Sequence, residues 1–283
     1  LSFSVAPPWY RSIAAYFLYL AALIFSFIRF GKFQAKRSLK KAEEQRKNSE
    51  LAAAKELQNR LLPKKFPQLP GLDIAGYLRT STEVGGDYYD FFEQEDGSLY
   101  AVCGDATGHG TPAGMLVSIT KAGIIGLPAM PPHKMLHELN RVVKKVDLGI
   151  LRMSLNIAYL KEDELTLSSA GMPPYFIYRS EKGQTEEVML SGVPLGSFVT
   201  VEYEETKTAF KKGDVLVIIS DGLPEAPDPS GSLFDYDRVS KLITEHAASS
   251  ASSMIESLVR EADTWLSGHH NPDDITIMVI KKT

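Results

Sequence analysis

The chain has 283 residues, with 31 lysines and arginines against 35 aspartates and glutamates, six histidines and one cysteine. This length allows one large domain or two small ones, and the single cysteine excludes a disulfide framework and any cysteine-rich metal site. A net charge of −4 argues against a protein that binds nucleic acid through a basic face, so we expect no nucleic-acid partner.

Residues 12–28 carry no charged side chain and lie between Arg11 and Arg29. A spanning helix needs about 17–25 residues, and flanking arginines lengthen one by reaching to the membrane interfaces. The sequence therefore predicts a transmembrane helix over residues 12–30. A buried helix of a soluble domain is the alternative.

The side after this segment is strongly basic, with Arg29, Lys32, Lys36, Arg37, Lys40 and Lys41. The positive-inside rule then predicts a single-pass protein with everything after the helix in the cytoplasm, and the resemblance given next implies the bacterial inner membrane. The string FSVAPPWYRSIAAYFLYL resembles the junction between the periplasmic Y_Y_Y sensor region of bacterial receptors and their membrane helix. Residues 1–11 are accordingly expected to be the remnant of an extracytoplasmic sensor.

Residues 31–62 form the next predicted segment, a helical linker that Pro63 ends. Leu51, Ala54, Gln58 and Leu61 follow each other at the 3–4–3 spacing of a short coiled-coil seam. The seam predicts a homodimer formed through the linker, since membrane tethering raises the local concentration of a weak pair. A solvated connecting helix is the alternative.

The segment 63–283 is predicted to be one α+β domain. Short β-type runs come in meanders rather than in strict β–α–β alternation, and amphipathic helices are predicted at 112–128, 133–147, 235–246 and 251–266. This order indicates antiparallel sheets covered by helices.

Aspartates stand where apolar strands of this domain begin or end, in the motifs EVGGDYYD, CGDATGHG, VIISDGLPEA and NPDDITIMVI. Strands bring such distant positions together at one edge, where converging carboxylates repel one another unless a cation neutralises them. Oxygen ligands without cysteine suit a hard cation, so the pattern predicts Mn²⁺ or Mg²⁺. The predicted ligands are Asp87, Asp105, Asp221 and Asp273.

The ordered set EVGGDYYDF, GDATGHG, AGMPPYFIY, GVPLG, SDGLPEA and PDDITIMV resembles the SpoIIE/RsbU-type PPM protein serine phosphatases over roughly residues 55–283. The resemblance implies an α-β-β-α sandwich of two antiparallel sheets flanked by helices, with two metal ions at one end. It also implies that these ions activate a water for in-line attack on phosphoserine.

Carried over to this chain, the resemblance assigns the metal-bridging carboxylate to Asp105 and one further ligand to the backbone carbonyl of Ala106. Asp87 would serve the second metal, and Asp221 and Asp273 the first. Asp274 is either an outer ligand or a support for the others, and the sequence leaves this open. His109 is a candidate acid for the leaving serine oxygen, the alternative being a solvent-facing residue.

The family also implies a substrate, a phosphorylated STAS-type anti-sigma-factor antagonist, and a role as the output domain of a sensor receptor. An inactive pseudophosphatase that binds partners through the same fold is the first rival. A receptor histidine kinase is disfavoured, because residues 34–62 contain no histidine to accept a phosphoryl group. Cys103 is not followed by the arginine of a cysteine phosphatase, and a buried strand position is expected for it.

Overall fold

The computed structural model describes residues 8–81 and 84–283 and divides the chain into two units, residues 1–50 and 51–283. A short 3₁₀ turn at Trp9–Arg11 precedes helix α1, Ile13–Leu61, which runs from the first unit into the second. Residues 1–7, most of the predicted sensor remnant, lie outside the described residues.

The first half of α1 is the candidate membrane span. It contains an 18-residue window that is long and apolar enough to cross a membrane, and none of that window is buried. Large apolar side chains, such as Phe17, Leu23 and Phe27, are exposed on it. By length and composition, this segment matches the span predicted over residues 12–30.

The described residues of the second unit form ten strands and four helices besides α1. The strands are β1 (Leu72–Arg79), β2 (Asp87–Glu93), β3 (Leu99–Ala106), β4 (Met153–Lys161), β5 (Glu164–Ala170), β6 (Tyr175–Arg179), β7 (Gln184–Val188), β8 (Glu205–Ala209), β9 (Val215–Ile219) and β10 (Ile275–Lys282). The helices are α2 (Thr111–Gly126), α3 (Pro132–Val146), α4 (Tyr236–His246) and α5 (Ala251–Leu266).

Two antiparallel five-stranded sheets carry the fold. Sheet A has the order β1-β10-β9-β6-β7, and sheet B has the order β2-β3-β4-β5-β8. Strand β9 reads VLVII and is buried throughout, because it lies inside sheet A with apolar layers on both faces.

Three apolar layers hold the sandwich together. Ile218 and Met278 of sheet A pack with Leu167 of sheet B in the layer between the sheets. Helices α4 and α5 cover the outer face of sheet A, and α2 and α3 cover the outer face of sheet B. The amphipathic pattern of α3 explains its position, since Met135, Leu139 and their neighbours at helical spacing are its buried residues.

The predicted α-β-β-α sandwich is confirmed, with small differences in element bounds. Helix α2 spans Thr111–Gly126 where 112–128 is predicted, and α3 spans Pro132–Val146 where 133–147 is predicted. The second unit begins at Leu51 and therefore includes the last turns of α1. The predicted seam residues of these turns are the less exposed ones, and Gln58 is buried.

Candidate metal centre

Two of the predicted ligands face each other at one edge of sheet B. Strand β2 begins at Asp87, β3 ends at Ala106, and Asp87 lies directly opposite Asp105 in the register of this pair. The backbone N–H of Ala106 donates to the carbonyl oxygen of Gly86 at 3.0 Å, which ties the two strand ends together. The sequence order alone does not give this register.

Sheet A brings the other predicted ligands to its own strand ends. Asp221 follows the last residues of β9, and Asp273 and Asp274 precede β10. Because β9 and β10 are antiparallel, with Ile219 opposite Ile277, the end of one strand meets the beginning of the other.

The buried carboxylate of Asp87 is held by two hydroxyl groups of the opposite sheet. Ser220 Oγ and Thr276 Oγ1 donate to Asp87 Oδ2 at 2.7 and 2.6 Å. Both residues are fully buried, and Asp87 is 2% exposed. These bonds fix one carboxylate oxygen of Asp87 and join sheet B to sheet A.

The carboxylate of Asp274 makes the reciprocal connection. Its Oδ1 accepts from the N–H of Ser81 at 2.6 Å, and its Oδ2 accepts from Gly86 at 2.8 Å and from Asp87 at 3.3 Å. Asp274 is buried, and both of its oxygens are engaged with backbone N–H groups. This arrangement favours the supporting role among the two alternatives left open by the sequence.

Asp273 has the opposite character and is exposed. Its Oδ1 accepts the N–H of the following residue, Asp274, at 2.8 Å. Asn271 holds the surrounding loop, because its Nδ2 donates to the carbonyl oxygens of Gly222 and Asp273 at 2.8 and 2.9 Å. Of the aspartate doublet, Asp273 is therefore the residue available to bind an ion.

Two glycines are required by the close approach of these loops. A methyl group at Gly86 would collide with the carbonyl oxygen of Ala106 and lie 2.8 Å from Asp105 Oδ1. A methyl group at Gly222 would collide with the backbone of Asp274. No side chain fits at either position without moving the aspartates.

The carboxylates are close enough to repel one another. Burial, followed by the negative charges of Asp221, Asp273 and Asp274, raises the pKa of Asp105 to about 8. Burial and the charge of Asp273 raise the pKa of Asp221 to about 6. Burial and the charge of Asp105 also raise the pKa of Asp87 well above its ordinary value, although the two hydroxyl donors oppose this.

This donor set fits hard divalent cations. Within residues 8–81 and 84–283, no three acidic, histidine or cysteine side chains form a complete chelate around one point. Mg²⁺ does not require one, since it is commonly held by one or two carboxylates and retains several waters. The aspartates converge at one edge of the sandwich, and their mutual repulsion contributes to the raised pKa values. A divalent cation would offset this repulsion, so the site suits such ions.

The remaining predicted residues lie as follows. His109 is exposed in the turn before α2. Cys103 is a free, fully buried residue of β3, as expected, and burial raises the pKa of its thiol.

Sequence reasoning missed the groups that hold the ligands, namely Ser220, Thr276, Asn271 and Gln58. Thr276 interrupts the apolar run of β10, and Ser220 ends that of β9, which is a usable signal for a buried polar contact. Gln58 Nε2 donates to the carbonyl oxygen of Gly85 at 2.8 Å, and the N–H of Gly85 donates to Gln58 Oε1 at 3.0 Å. The seam spacing places Gln58 on the less exposed face of the linker, but it does not indicate that its amide pairs with Gly85.

Comparison with known proteins decides the family. The sequence profile described as Stage II sporulation protein E (SpoIIE) matches residues 95–283. Phosphoserine phosphatase RsbU of Bacillus subtilis is 31% identical over 242 residues, which cover 83% of this chain and 70% of RsbU. The chain belongs to the SpoIIE family.

Solved structures confirm the fold of this SpoIIE-family domain. The SiaA-PP2C domain of Pseudomonas aeruginosa matches with a TM-score of 0.75 at 20% identity, over 85% of this chain and 98% of that domain. RsbX, solved in complex with magnesium, matches with a TM-score of 0.59 at 14% identity, over 77% and 99% of the two chains. The domain is a metal-dependent protein serine/threonine phosphatase of the PP2C type.

The supporting role of Asp274 is testable by the Asp274→Asn substitution. An amide cannot accept the N–H groups of Ser81, Gly86 and Asp87 as strongly as a carboxylate, so the loop that carries Asp87 loosens. We expect the Mn²⁺ concentration for half-maximal activity to rise about 10–100-fold, with activity recovered at saturating Mn²⁺. Asp273→Asn is the matched control. We expect it to lower the phosphatase activity and expect this activity to stay low at saturating Mn²⁺. Equal behaviour of the two variants would contradict the assignment.

The raised pKa values also predict how the stability of the metal-free domain depends on pH. Asp105 and Asp221 release their protons near pH 4 when unfolded, but near pH 8 and pH 6 when folded. The native state therefore holds more protons across this window, and its free energy of unfolding falls as the pH rises from about 4 to 8. Urea denaturation in EDTA measures this trend.

Two controls accompany that measurement. Mn²⁺ binds the deprotonated carboxylates, so its stabilising effect should grow over the same pH window. Asp105→Asn should make the fall between pH 6 and 8 shallower. A metal-free domain whose stability rises across this window would show that the cluster does not carry this repulsion.

Proposed function

We propose that this phosphatase hydrolyses phosphoserine or phosphothreonine on a regulatory protein, a phosphorylated STAS-type anti-sigma-factor antagonist. The observation that carries the proposal is the convergence of Asp87, Asp105, Asp221 and Asp273 at one edge of the sandwich in a SpoIIE-family chain. The name of the relative RsbU, a phosphoserine phosphatase, supports phosphoserine as the substrate group.

Two ions, Mn²⁺ or Mg²⁺, would be held by these aspartates. Asp105 is opposite Asp87 in the strand register and is subject to the charges of Asp221 and Asp273, so it would contribute to both ions, Asp87 to one, and Asp221 with Asp273 to the other. The backbone carbonyl of Ala106 adds a neutral donor beside Asp105. When bound, the ions supply an activated water and neutralise the phosphoryl oxygens.

The residues of the chain prepare this chemistry before any substrate arrives. Ser220 and Thr276 fix one oxygen of Asp87, and the N–H groups of Gly86 and Asp87 are fixed by Asp274. A preorganised carboxylate needs no reorganisation during the reaction, which is the main requirement of electrostatic catalysis. All four aspartates that the family resemblance assigns as ligands are present in this chain. Their presence favours an active phosphatase over a pseudophosphatase.

Hydrolysis of p-nitrophenyl phosphate and of a phosphoserine STAS protein by residues 51–283 tests this proposal. We expect both activities to require Mn²⁺ or Mg²⁺, and Asp105→Asn to lower kcat at least about 100-fold, because the centre loses the carboxylate shared by both ions. His109→Asn shows whether an imidazole contributes, through the basic limb of the pH profile. Activity without metal, or full activity of Asp105→Asn, would exclude the mechanism.

We propose further that the chain is anchored in the bacterial inner membrane by residues 12–30, with the phosphatase in the cytoplasm as the output of a sensor. The apolar window in α1, none of which is buried, and the basic residues that follow it support this. Membrane fractionation, together with protease protection of residues 51–283 in spheroplasts, measures it. Release of the chain by salt or carbonate washing would contradict a spanning helix.

The linker is proposed to regulate the metal centre through Gln58. Its side-chain amide pairs with both backbone groups of Gly85, which is two residues from Asp87. The seam residues around it face their own domain, so dimerisation through them would have to displace this contact. The proposed homodimer and the docked helix are therefore alternative uses of one surface.

Substitution Gln58→Ala measures this connection. It leaves the buried N–H and C=O of Gly85 without partners, at a cost of about 1–3 kcal/mol, so the loop carrying Asp87 loses its fixed position. We expect the Mn²⁺ requirement to rise about tenfold. The control is Gln45→Ala, which removes an exposed glutamine from the same helix. Equal metal requirements in the two variants would contradict a linker that acts on the centre.

A further inference from the structure

Three large apolar side chains are exposed on two loops of the second unit. Ile150, in the loop between α3 and β4, is 89% exposed, and Phe198 and Val199, in the loop between β7 and β8, are 62% and 72% exposed. A single exposed apolar side chain is ordinary on a protein surface. Several of them on neighbouring segments are typical of a surface that binds another molecule.

The two loops contact each other. The N–H groups of Met153 and Leu195 each donate to the carbonyl oxygen of the other residue, at 3.2 and 2.8 Å. A methyl group at Gly196 would lie 3.7 Å from the carbonyl oxygen of Leu151. The exposed apolar residues are only one to three positions away from this second contact, so they belong to neighbouring parts of the surface.

Hydrogen bonds hold the backbone of both loops in place. Asn140 of α3 accepts the N–H of Gly196 and donates to the carbonyl oxygen of Phe198, at 2.8 and 3.0 Å. The guanidinium group of Arg152 donates to the carbonyl oxygens on both sides of Ile150, each at 2.7 Å. The apolar side chains are therefore presented on an ordered backbone, which lowers the entropy cost of binding a partner.

The loops also border the metal centre. Thr107 directly follows Ala106, the proposed carbonyl ligand, and its N–H donates to the carbonyl oxygen of Arg152 at 2.9 Å. The N–H of Arg152 donates back to Thr107 Oγ1 at 2.9 Å, and Met153 is the register partner of Ala106. A protein that places its phosphoserine at the metal centre therefore has its surface next to Ile150.

The surroundings of these apolar residues are basic, although the domain is acidic. Residues 51–283 contain 22 lysines and arginines against 32 aspartates and glutamates. Residues 144–152 reverse this ratio with three basic side chains and one acidic side chain, those of Lys144, Lys145, Arg152 and Asp147. Lys144 Nζ donates to the carbonyl oxygen of Gly196 at 3.2 Å, which places its charge beside the second loop. An apolar surface with acidic residues around it would complement this region.

We infer that Ile150, Phe198 and Val199 form a docking surface for the substrate phosphoprotein, which binds it through an apolar surface bordered by acidic residues. This inference rests on the proposed function, since it names how the protein substrate is held at that site. Burial of the apolar side chains supplies affinity, and the basic residues orient the partner. A small phosphate ester bound at the metal centre uses neither contribution.

Ile150→Ser and Phe198→Ser test the inference in the full chain with Mn²⁺, on a phosphoserine STAS protein and on p-nitrophenyl phosphate. Both side chains are exposed, so their removal leaves the apolar core intact. We expect kcat/KM for the phosphoprotein to fall about tenfold in each variant, mainly through a higher KM, as truncation of a central interface residue does. We expect kcat/KM for p-nitrophenyl phosphate to stay within about twofold of the wild type, because the metal centre is unchanged.

The matched control is Ile125→Ser. Ile125 is also 62% exposed, but it lies in the last turn of α2, about 20 Å along this helix from its first residue, Thr111. We expect this variant to hydrolyse both substrates as the wild type does. An equal loss on the phosphoprotein in Ile125→Ser would show that any exposed apolar residue has this effect, which would overturn the inference.

The basic residues provide a second arm through Lys145→Glu. We expect this variant to raise the KM for the phosphoprotein about tenfold at low salt, and the difference from the wild type to shrink at high salt, because added ions screen exposed charges. Lys134→Glu, which changes an exposed lysine at the other end of α3, is the control and should have little effect. Equal KM values in these two variants would contradict the acidic border of the partner.

Unchanged hydrolysis of the phosphoprotein by both Ile150→Ser and Phe198→Ser would overturn the inference. A second copy of the chain would then be identified as the occupant if Phe198→Ser changed the sedimentation of the detergent-solubilised chain, and lipid if it changed the activity gained on transfer to anionic vesicles. Failure of the proposed function looks different, since the wild type would then hydrolyse p-nitrophenyl phosphate and leave the phosphoprotein intact. Poor folding of a variant is also distinct, because it lowers both rates together.

Discussion

Two buried carboxylates, each hydrogen-bonded to the opposite side of the sandwich, hold its functional end together. Asp87 of sheet B receives hydroxyl groups of Ser220 and Thr276 from sheet A, and Asp274 of sheet A receives backbone N–H groups from the loop that leads into sheet B. Apolar packing aligns the sheets over their length, but it has no directional preference at the edge. The directional bonds determine where the strand ends stop relative to one another, and hence where the exposed ligands lie.

This arrangement separates two tasks that carboxylates can perform. Both oxygens of Asp274 accept backbone N–H groups, whereas Asp273, its neighbour in the chain, is exposed. Asp105 is subject to the negative charges of Asp221, Asp273 and Asp274. The fold therefore holds carboxylates that repel one another in fixed positions. Bound cations would offset this repulsion.

The sequence predicts much of this structure because its signals are local. Motif aspartates beside apolar runs indicate both the strands and the ligands, and the period of α3 indicates its buried face. Partners across the sandwich have no such signal. Ser220, Thr276 and Asn271 are ordinary polar residues until tertiary contacts place them, and the seam around Gln58 fits a partner helix as well as its own domain. The pattern identifies an apolar face but not the surface that covers it.

The position of β10 has a consequence for the synthesis of the protein. This strand lies between β1 and β9, and its residue Lys282 is the register partner of Leu72, about 200 positions earlier in the chain. While the ribosome has not yet released residues 275–282, sheet A lacks an inner strand, and Asp273 and Asp274 have no place in the fold. Until β10 pairs, β1 and β9 each present an unpaired edge on the side that it later covers. The ligands carried by the two sheets can therefore meet only after a contact between parts of the chain that are far apart in sequence.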